Sequence, residues 1–123
     1  MNLLIADDNV EFRTKLASIL LRIKGVEIVG QPGDVPETLN AIRRLKSDVI
    51  LLDIHMPGGT GLDVIAAAKA TKPAPIVIML TGGPRSEYQT PSYLLGADYF
   101  FEKSSELNKL GEMLRHMAKQ VVA

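Results

Sequence analysis

Five short apolar runs, each followed by a segment with helical spacing, limit what this chain can fold into more than any other feature. Residues 3–6 form an apolar run that ends at Asp7-Asp8, and over residues 10–24 Phe12, Leu16, Ile19, Leu20 and Ile23 recur at the period of a helix. Residues 26–29 give a second strand closed by Gly30, and Asp34 with Glu37 three positions later reads as a capping box that opens a helix running to residue 46. Residues 49–52 are apolar without a break, as in a strand buried on both faces. A glycine-rich turn at 58–61 leads into an alanine-rich helix over 62–70, stopped by Thr71-Lys72-Pro73. Residues 76–80 make a fourth strand and 82–89 a loop, while Thr90-Pro91 reads as an N-cap with proline at the first helical position. Residues 99–101 form the fifth strand, and Leu107, Leu110, Leu114, Met117 and Val121 mark one face of a final helix.

Strands alternating with helices in this way predict an α/β fold, a doubly wound parallel sheet with helices on both faces. The 123 residues suit one domain over 1–123, and 46% hydrophobic residues supply a core. Lysine plus arginine and aspartate plus glutamate stand at 14 each, so the chain lacks the basic footprint of a protein that binds nucleic acid directly. The absence of cysteine excludes disulfides and thiolate metal sites. No basic-flanked apolar leader opens the sequence and no apolar run reaches membrane-spanning length, so no membrane insertion and a cytoplasmic location are expected.

In sheets of this kind ligands sit beyond the carboxyl ends of the strands, where the strand order reverses. The residues there are Asp7, Asp8, Asp53, Thr81, Gly82 and Lys103. If strands one and three are neighbours, the three carboxylates converge, and like charges that close stay ionised cheaply only with a cation between them. A hard oxygen-binding ion fits, and Mg²⁺ takes one or two carboxylates, waters and a phosphate oxygen at about 2.1 Å. The Thr81 hydroxyl, the unobstructed Gly82 N–H and the Lys103 ammonium complement a phosphoryl dianion. Singly, each residue has an ordinary use: Asp8 or Asn9 as N-cap of the first helix, Thr81 as a strand end, Lys103 on a solvated surface. All the strand ends matching one reaction by accident is far less expected than any single match.

Together with the segment Asp53-Ile54-His55-Met56-Pro57, the following Gly61, and Gly96-Ala97-Asp98 leading to Lys103, these residues resemble in order and spacing the receiver domains of two-component response regulators. The small chemotaxis response regulator typifies that family, and the resemblance covers the whole chain. It implies a flavodoxin-like (βα)5 sheet of strand order 2-1-3-4-5 and a signalling role rather than that of an enzyme. The implied reaction is Mg²⁺-dependent transfer of a phosphoryl group to Asp53 from the phosphohistidine of a sensor histidine kinase or phosphotransfer protein, which switches a surface read by a downstream protein. The resemblance further implies Asp8 as a direct metal ligand, Asp7 as a ligand held mainly through water, and the main-chain carbonyl of His55 as another. Thr81 and the Gly82 N–H would hold phosphoryl oxygens and Lys103 would pair with one. Thr81 and Phe100 would form the switch, with Phe100 turning toward the core as Thr81 moves inward.

Two departures stand out. Most receivers follow the lysine with proline, whereas here Ser104 and Ser105 follow, and a cis bond before serine costs ~3 kcal/mol, which leaves open how tightly the loop fixes Lys103. Phe100 has no hydroxyl, so a switch there works by packing. His55 either faces solvent or tunes attack by water on the acyl phosphate, and Tyr88 and Tyr93 are partner contacts or, more ordinarily, core or rim packing. The surface expected to be read by a partner comprises residues 86–95, the strand at 99–101 and the last helix.

Three other functions compete. A receiver cut from a longer DNA-binding regulator would continue into a basic helix-turn-helix segment, and the sequence stops at Gln120-Val121-Val122-Ala123. An aspartyl-phosphate hydrolase of the haloacid-dehalogenase type needs a second acid two residues after the nucleophile, where His55 stands. A flavodoxin-like cofactor module needs a phosphate loop rich in serine, threonine and glycine, and Asp7-Asp8-Asn9 repels a bare phosphate.

Overall fold

The computed structural model describes residues 1–83 and 87–122. In chain order the elements are β1 (Asn2–Ala6), α1 (Val10–Leu20), β2 (Glu27–Gly30), α2 (Val35–Arg44), β3 (Val49–Asp53), β4 (His55–Met56), β5 (Gly59–Thr60), α3 (Gly61–Lys69), β6 (Ile76–Thr81), α4 (Gln89–Leu94), β7 (Tyr99–Glu102) and α5 (Leu107–Val122). Five strands form one parallel sheet in the order β2-β1-β3-β6-β7, which is the expected 2-1-3-4-5. The two-residue strands β4 and β5 pair antiparallel apart from that sheet and were not visible in the hydrophobic pattern. They bracket Gly58, whose φ of 87° lies in the left-handed region that a side chain would resist.

The strand period of two decides which helix covers which face. Leu3 and Ile5 point to one side and pack with Leu16, Leu20, Leu110 and Leu114, so α1 and α5 lie there. Leu4 and Ala6 point to the other and pack with Val35, Ile42, Val64 and Ile65, so α2 and α3 lie there. Every residue of the central strand β3 is buried. Each such aliphatic side chain contributes about 1.5–3 kcal/mol by leaving water.

Several boundaries differ from the sequence pattern. Helix α1 ends at Leu20 rather than residue 24: the Leu21 N–H still makes a helical bond to the Ala17 carbonyl, but the Arg22 and Ile23 amides turn back onto the Ile19 and Leu20 carbonyls, only three residues away. Helix α2 ends at Arg44 rather than residue 46. Its N-cap is Asp34, which accepts from the Glu37 N–H at 2.7 Å, but Glu37 returns its carboxylate to the Gly33 N–H rather than to Asp34, so only half of the expected box forms. The N-cap of α4 is Tyr88, not Thr90, and Pro91 sits inside the first turn, where no helical N–H is needed. The expected loop over 82–89 passes through residues 84–86, which lie outside the described residues, as does residue 123.

Helix α4 also carries a fault. Ser92 is fully buried, and among the described residues its hydroxyl has no hydrogen-bond partner. Ser92→Ala removes that hydroxyl with little change of volume, so we expect it to raise unfolding free energy by about 1 kcal/mol. A lower denaturation midpoint for Ser92→Ala would show that the hydroxyl is satisfied in solution.

Candidate functional site

The sheet register places the acids together. Ala6 pairs with Leu52 and Asp53 with Leu80, so the carboxyl ends of β1, β3 and β6 are level, and the strand order reverses between β1 and β3. Asp7 follows Ala6 directly and Asp53 is the last residue of β3. One carboxylate oxygen from each of Asp7, Asp8 and Asp53 lies within 4.8 Å of the others.

Each acid is held differently. The first helix is capped by Asn9, whose side chain accepts from the Phe12 N–H at 3.0 Å, so Asp8 is not needed as a cap. Asp8 is exposed, and among the described residues no hydrogen bond engages it. Asp7 is 1% exposed and fully engaged: Oδ1 accepts from the Asn9 N–H at 2.9 Å and Oδ2 meets Lys103 Nζ at 2.5 Å. Its main chain is anchored as well, the N–H donating to the Pro32 carbonyl and the carbonyl accepting from Arg13 Nη1. Asp53 is 6% exposed, with Lys103 Nζ 3.4 Å from Oδ1.

These surroundings raise the Asp53 pKa from 3.8 to about 6. Burial contributes most, followed by the Asp7 charge; the Lys103 charge and hydrogen bond oppose the shift, and Asp8 adds to it. The shift is first the cost of a charge in a buried place, and the neighbouring carboxylates add negative charge to it. A cluster of hard oxygen donors with that charge suits a divalent cation of the Mg²⁺ or Ca²⁺ type.

The other strand ends close the site. Thr81 ends β6, is 3% exposed, and its Oγ1 accepts from the Gly83 N–H at 3.3 Å, so the hydroxyl proton remains available to donate. The Lys103 N–H donates to the Thr81 carbonyl at 2.8 Å and ties the end of β7 to that of β6. A Cβ on Gly82 would meet nothing within 4 Å among the described residues, so none of them demands glycine there. His55 sits at the rim with an exposed side chain whose ring meets Tyr88 edge-on, centroids 5.0 Å apart. Tyr88 packs on the core at the same time, whereas Tyr93 is 43% exposed.

The Phe100 ring is 4% exposed and already part of the core cluster with Val64, Ile65 and Met79, which is the inward position expected of it after the switch. The sequence pattern missed contacts. Phe12 counted as a core residue at helical spacing, yet Lys103 Nζ lies 4.3 Å from its ring centroid. Arg13, which grips the Asp7 carbonyl, carried no sequence signal beyond an exposed helical position. A separate cleft of about 510 Å³ lies at the opposite pole, between the end of α2 and the α3–β6 connection, and shares no residue with the acidic cluster.

The comparisons with known proteins agree with this architecture. The response regulator receiver domain matches residues 3–115. A protein-glutamate methylesterase/protein-glutamine glutaminase 2 from Anaeromyxobacter dehalogenans is 34% identical over 112 residues, which cover 91% of this chain and 33% of that protein. The response regulator GacA of Pseudomonas aeruginosa is 28% identical over 117 residues, 95% of this chain and 55% of that one. The chain therefore spans between a third and about half of these curated relatives. A response regulator from Burkholderia pseudomallei, solved with a phosphorylated aspartic acid, a calcium ion and citrate, superposes with a TM-score of 0.80 at 27% identity, over 98% of this chain and 69% of that one. By family match, sheet order and site placement, this chain belongs to the response regulator receiver domain family.

Proposed function

We propose that the chain accepts a phosphoryl group on Asp53 from a phosphohistidine of a sensor kinase or phosphotransfer protein, in a reaction that requires Mg²⁺, and so acts as a switch for a protein partner. The observation that carries this reading is the buried carboxylate of Asp53, its pKa raised, at the level of Asp7, Asp8, Thr81 and Lys103. In the reaction an Asp53 oxygen attacks phosphorus and the P–N bond breaks, its electron pair leaving with the imidazole. With a pKa of about 6 the nucleophile is ionised at neutral pH and needs no general base. Lys103 moves from Asp7 toward a phosphoryl oxygen, Thr81 donates its free hydroxyl proton to another, and the Gly82 N–H serves a third. Asp7, Asp8, Asp53 and the His55 carbonyl would hold the cation, which supplies neutralisation of the charge on the transferring group. The Burkholderia structure, with its phosphorylated aspartic acid and calcium ion, supports the same chemistry by analogy.

For output, Tyr93, Leu94, Leu95 and Tyr99 form an exposed apolar patch on α4 and the start of β7, and Leu94 is 82% exposed. That patch is the proposed face for a partner; residue 86, at the edge of the expected surface, lies outside the described residues. Residues 1–123 are proposed as one receiver unit without an enzymatic activity of its own on other substrates, located in the cytoplasm. No helix among the described residues is long and apolar enough to cross a membrane. A second reading, favoured by the lengths of the relatives, makes this unit the receiver of a larger regulator whose remaining part carries the output.

Binding of beryllofluoride, a phosphoryl mimic, tests the site: ¹⁹F resonances of the bound species should appear with Mg²⁺ and vanish with chelator or in Asp53→Asn. Uptake that ignores either change would sink the proposal. Because both Asp7 oxygens are already bonded while Asp8 is free, Asp8→Ala should weaken Mg²⁺ affinity at least about tenfold and Asp7→Ala less. A Mg²⁺ titration with the reverse order would mean that Asp7 is the direct ligand.

A further inference from the structure

Lys103 is anchored at its main-chain N–H, which donates to the Thr81 carbonyl, and again at its charged end. The residues after it, Ser104 and Ser105, are exposed, while its own side chain is 17% exposed with the ammonium between two carboxylates. The third wall is the Phe12 ring, 4.3 Å from Nζ. Phe12 is well placed for this because the Asn9 side chain caps its N–H, so the same first turn of α1 that follows Asp7-Asp8 also fixes the ring.

The geometry points to Phe12 as a positioning residue for Lys103, one that keeps the ammonium dry and confined to the line between Asp7 and Asp53; this rests on the phosphoryl-acceptor reading above. An aromatic face attracts a cation without demanding a direction, whereas a carboxylate or hydroxyl would compete for it. The ammonium is now 2.5 Å from Asp7 and 3.4 Å from Asp53, and to serve a phosphoryl group it must shift toward Asp53. A ring face accompanies that shift at little cost. Water in its place would screen the charge and let the long side chain leave the site. Phe12 touches neither the acceptor carboxylate nor the phosphoryl group in this scheme, so it acts through Lys103 alone.

The test uses the full chain as native, Phe12→Leu, Phe12→Trp, Lys103→Met and the Phe12→Leu/Lys103→Met double variant. Leucine keeps apolar packing against Leu16 without a π face, and tryptophan keeps the π face. Phe12→Leu should weaken beryllofluoride retention by roughly three- to tenfold, with Phe12→Trp within about twofold of native and Mg²⁺ affinity unchanged. In the Lys103→Met background Phe12→Leu should have no further effect, which a packing or folding defect would not predict. In ¹H–¹³C spectra the Lys103 ε-methylene should show a ring-current shift that Phe12→Leu abolishes. Equal retention by native and Phe12→Leu, equal loss in leucine and tryptophan variants, or a loss that persists without Lys103 would overturn the inference. If the native chain with Mg²⁺ takes up no beryllofluoride, the acceptor reading fails instead, and the lysine shift, which needs no ligand, still decides whether the ring holds Lys103.

Discussion

In chelator at neutral pH, Asp53→Asn is expected to be more stable than the native chain, although it deletes an ion-pair partner of Lys103. The sign follows from the proton balance. The folded-state pKa of about 6 exceeds the ordinary value of 3.8, so between these values the folded protein binds more protons than the unfolded one. Stability then falls as pH rises from 3.8 to about 6, and the cost of the buried charge is fully present above that window. A shift of this size corresponds to about 3 kcal/mol, and relaxation of the surroundings lowers the cost of the buried charge to about 1–2 kcal/mol. Asparagine carries no charge at any pH and escapes the cost. Urea denaturation should therefore show Asp53→Asn ahead at neutral pH and level with the native chain once pH falls below about 4. Saturation with Mg²⁺ at about a hundred times its Kd should reverse the order, adding about 2.7 kcal/mol to the native chain. A native chain that outlasts Asp53→Asn in chelator would mean that Lys103 neutralises Asp53 in full.

The second large effect concerns Gly61. A Cβ there would lie 2.2 Å from the Asp53 carbonyl oxygen and 3.1 Å from the Ile54 Cα, both backbone, while the Gly61 N–H donates to the Ile54 carbonyl at 2.6 Å. Nothing flexible can yield, so the end of β3 must move. We expect Gly61→Ala to cost about 3 kcal/mol and to weaken Mg²⁺ binding more than about tenfold, since displacement of even half an ångström spoils a ligand set. Gly82→Ala is the control: its Cβ enters open space, and stability should change by less than about 0.5 kcal/mol. Equal denaturation midpoints for the two variants would contradict the close approach at Gly61.

The parallel sheet was legible because Val49, Ile50, Leu51 and Leu52 form an unbroken apolar run that only a doubly covered strand requires, and because Leu3 to Ala6 divide between two faces. The position of the acids was legible for a related reason. Asp7 and Asp53 end apolar runs, and neighbouring parallel strands bring such ends level. What escaped depends on contacts distant in sequence. The β4–β5 pair is two residues long and rests on the close approach of Gly61 to β3, which no periodicity encodes. The choice between Asp8 and Asn9 as cap needed the actual hydrogen bond to Phe12. Phe12 itself was hidden by its double use, since an aromatic at helical spacing packs on the core whether or not a cation lies on its face. The position of the Phe100 ring was not legible either: it depends on β7 lying beside Met79, where the ring is buried. The start of α4 was misread because proline is equally at home anywhere in a first turn.

Asp53 is the residue proposed to take the phosphoryl group. Incubation with acetyl phosphate, reduction of the acyl phosphate with borohydride and mapping of the modified peptide test it most directly, since reduction converts a phosphorylated aspartate to homoserine at the site of attachment. Homoserine is expected at position 53, formed only when Mg²⁺ is present and absent from Asp53→Asn. Homoserine at position 7 or 8 in the native chain, or modification that proceeds equally in chelator, would contradict it.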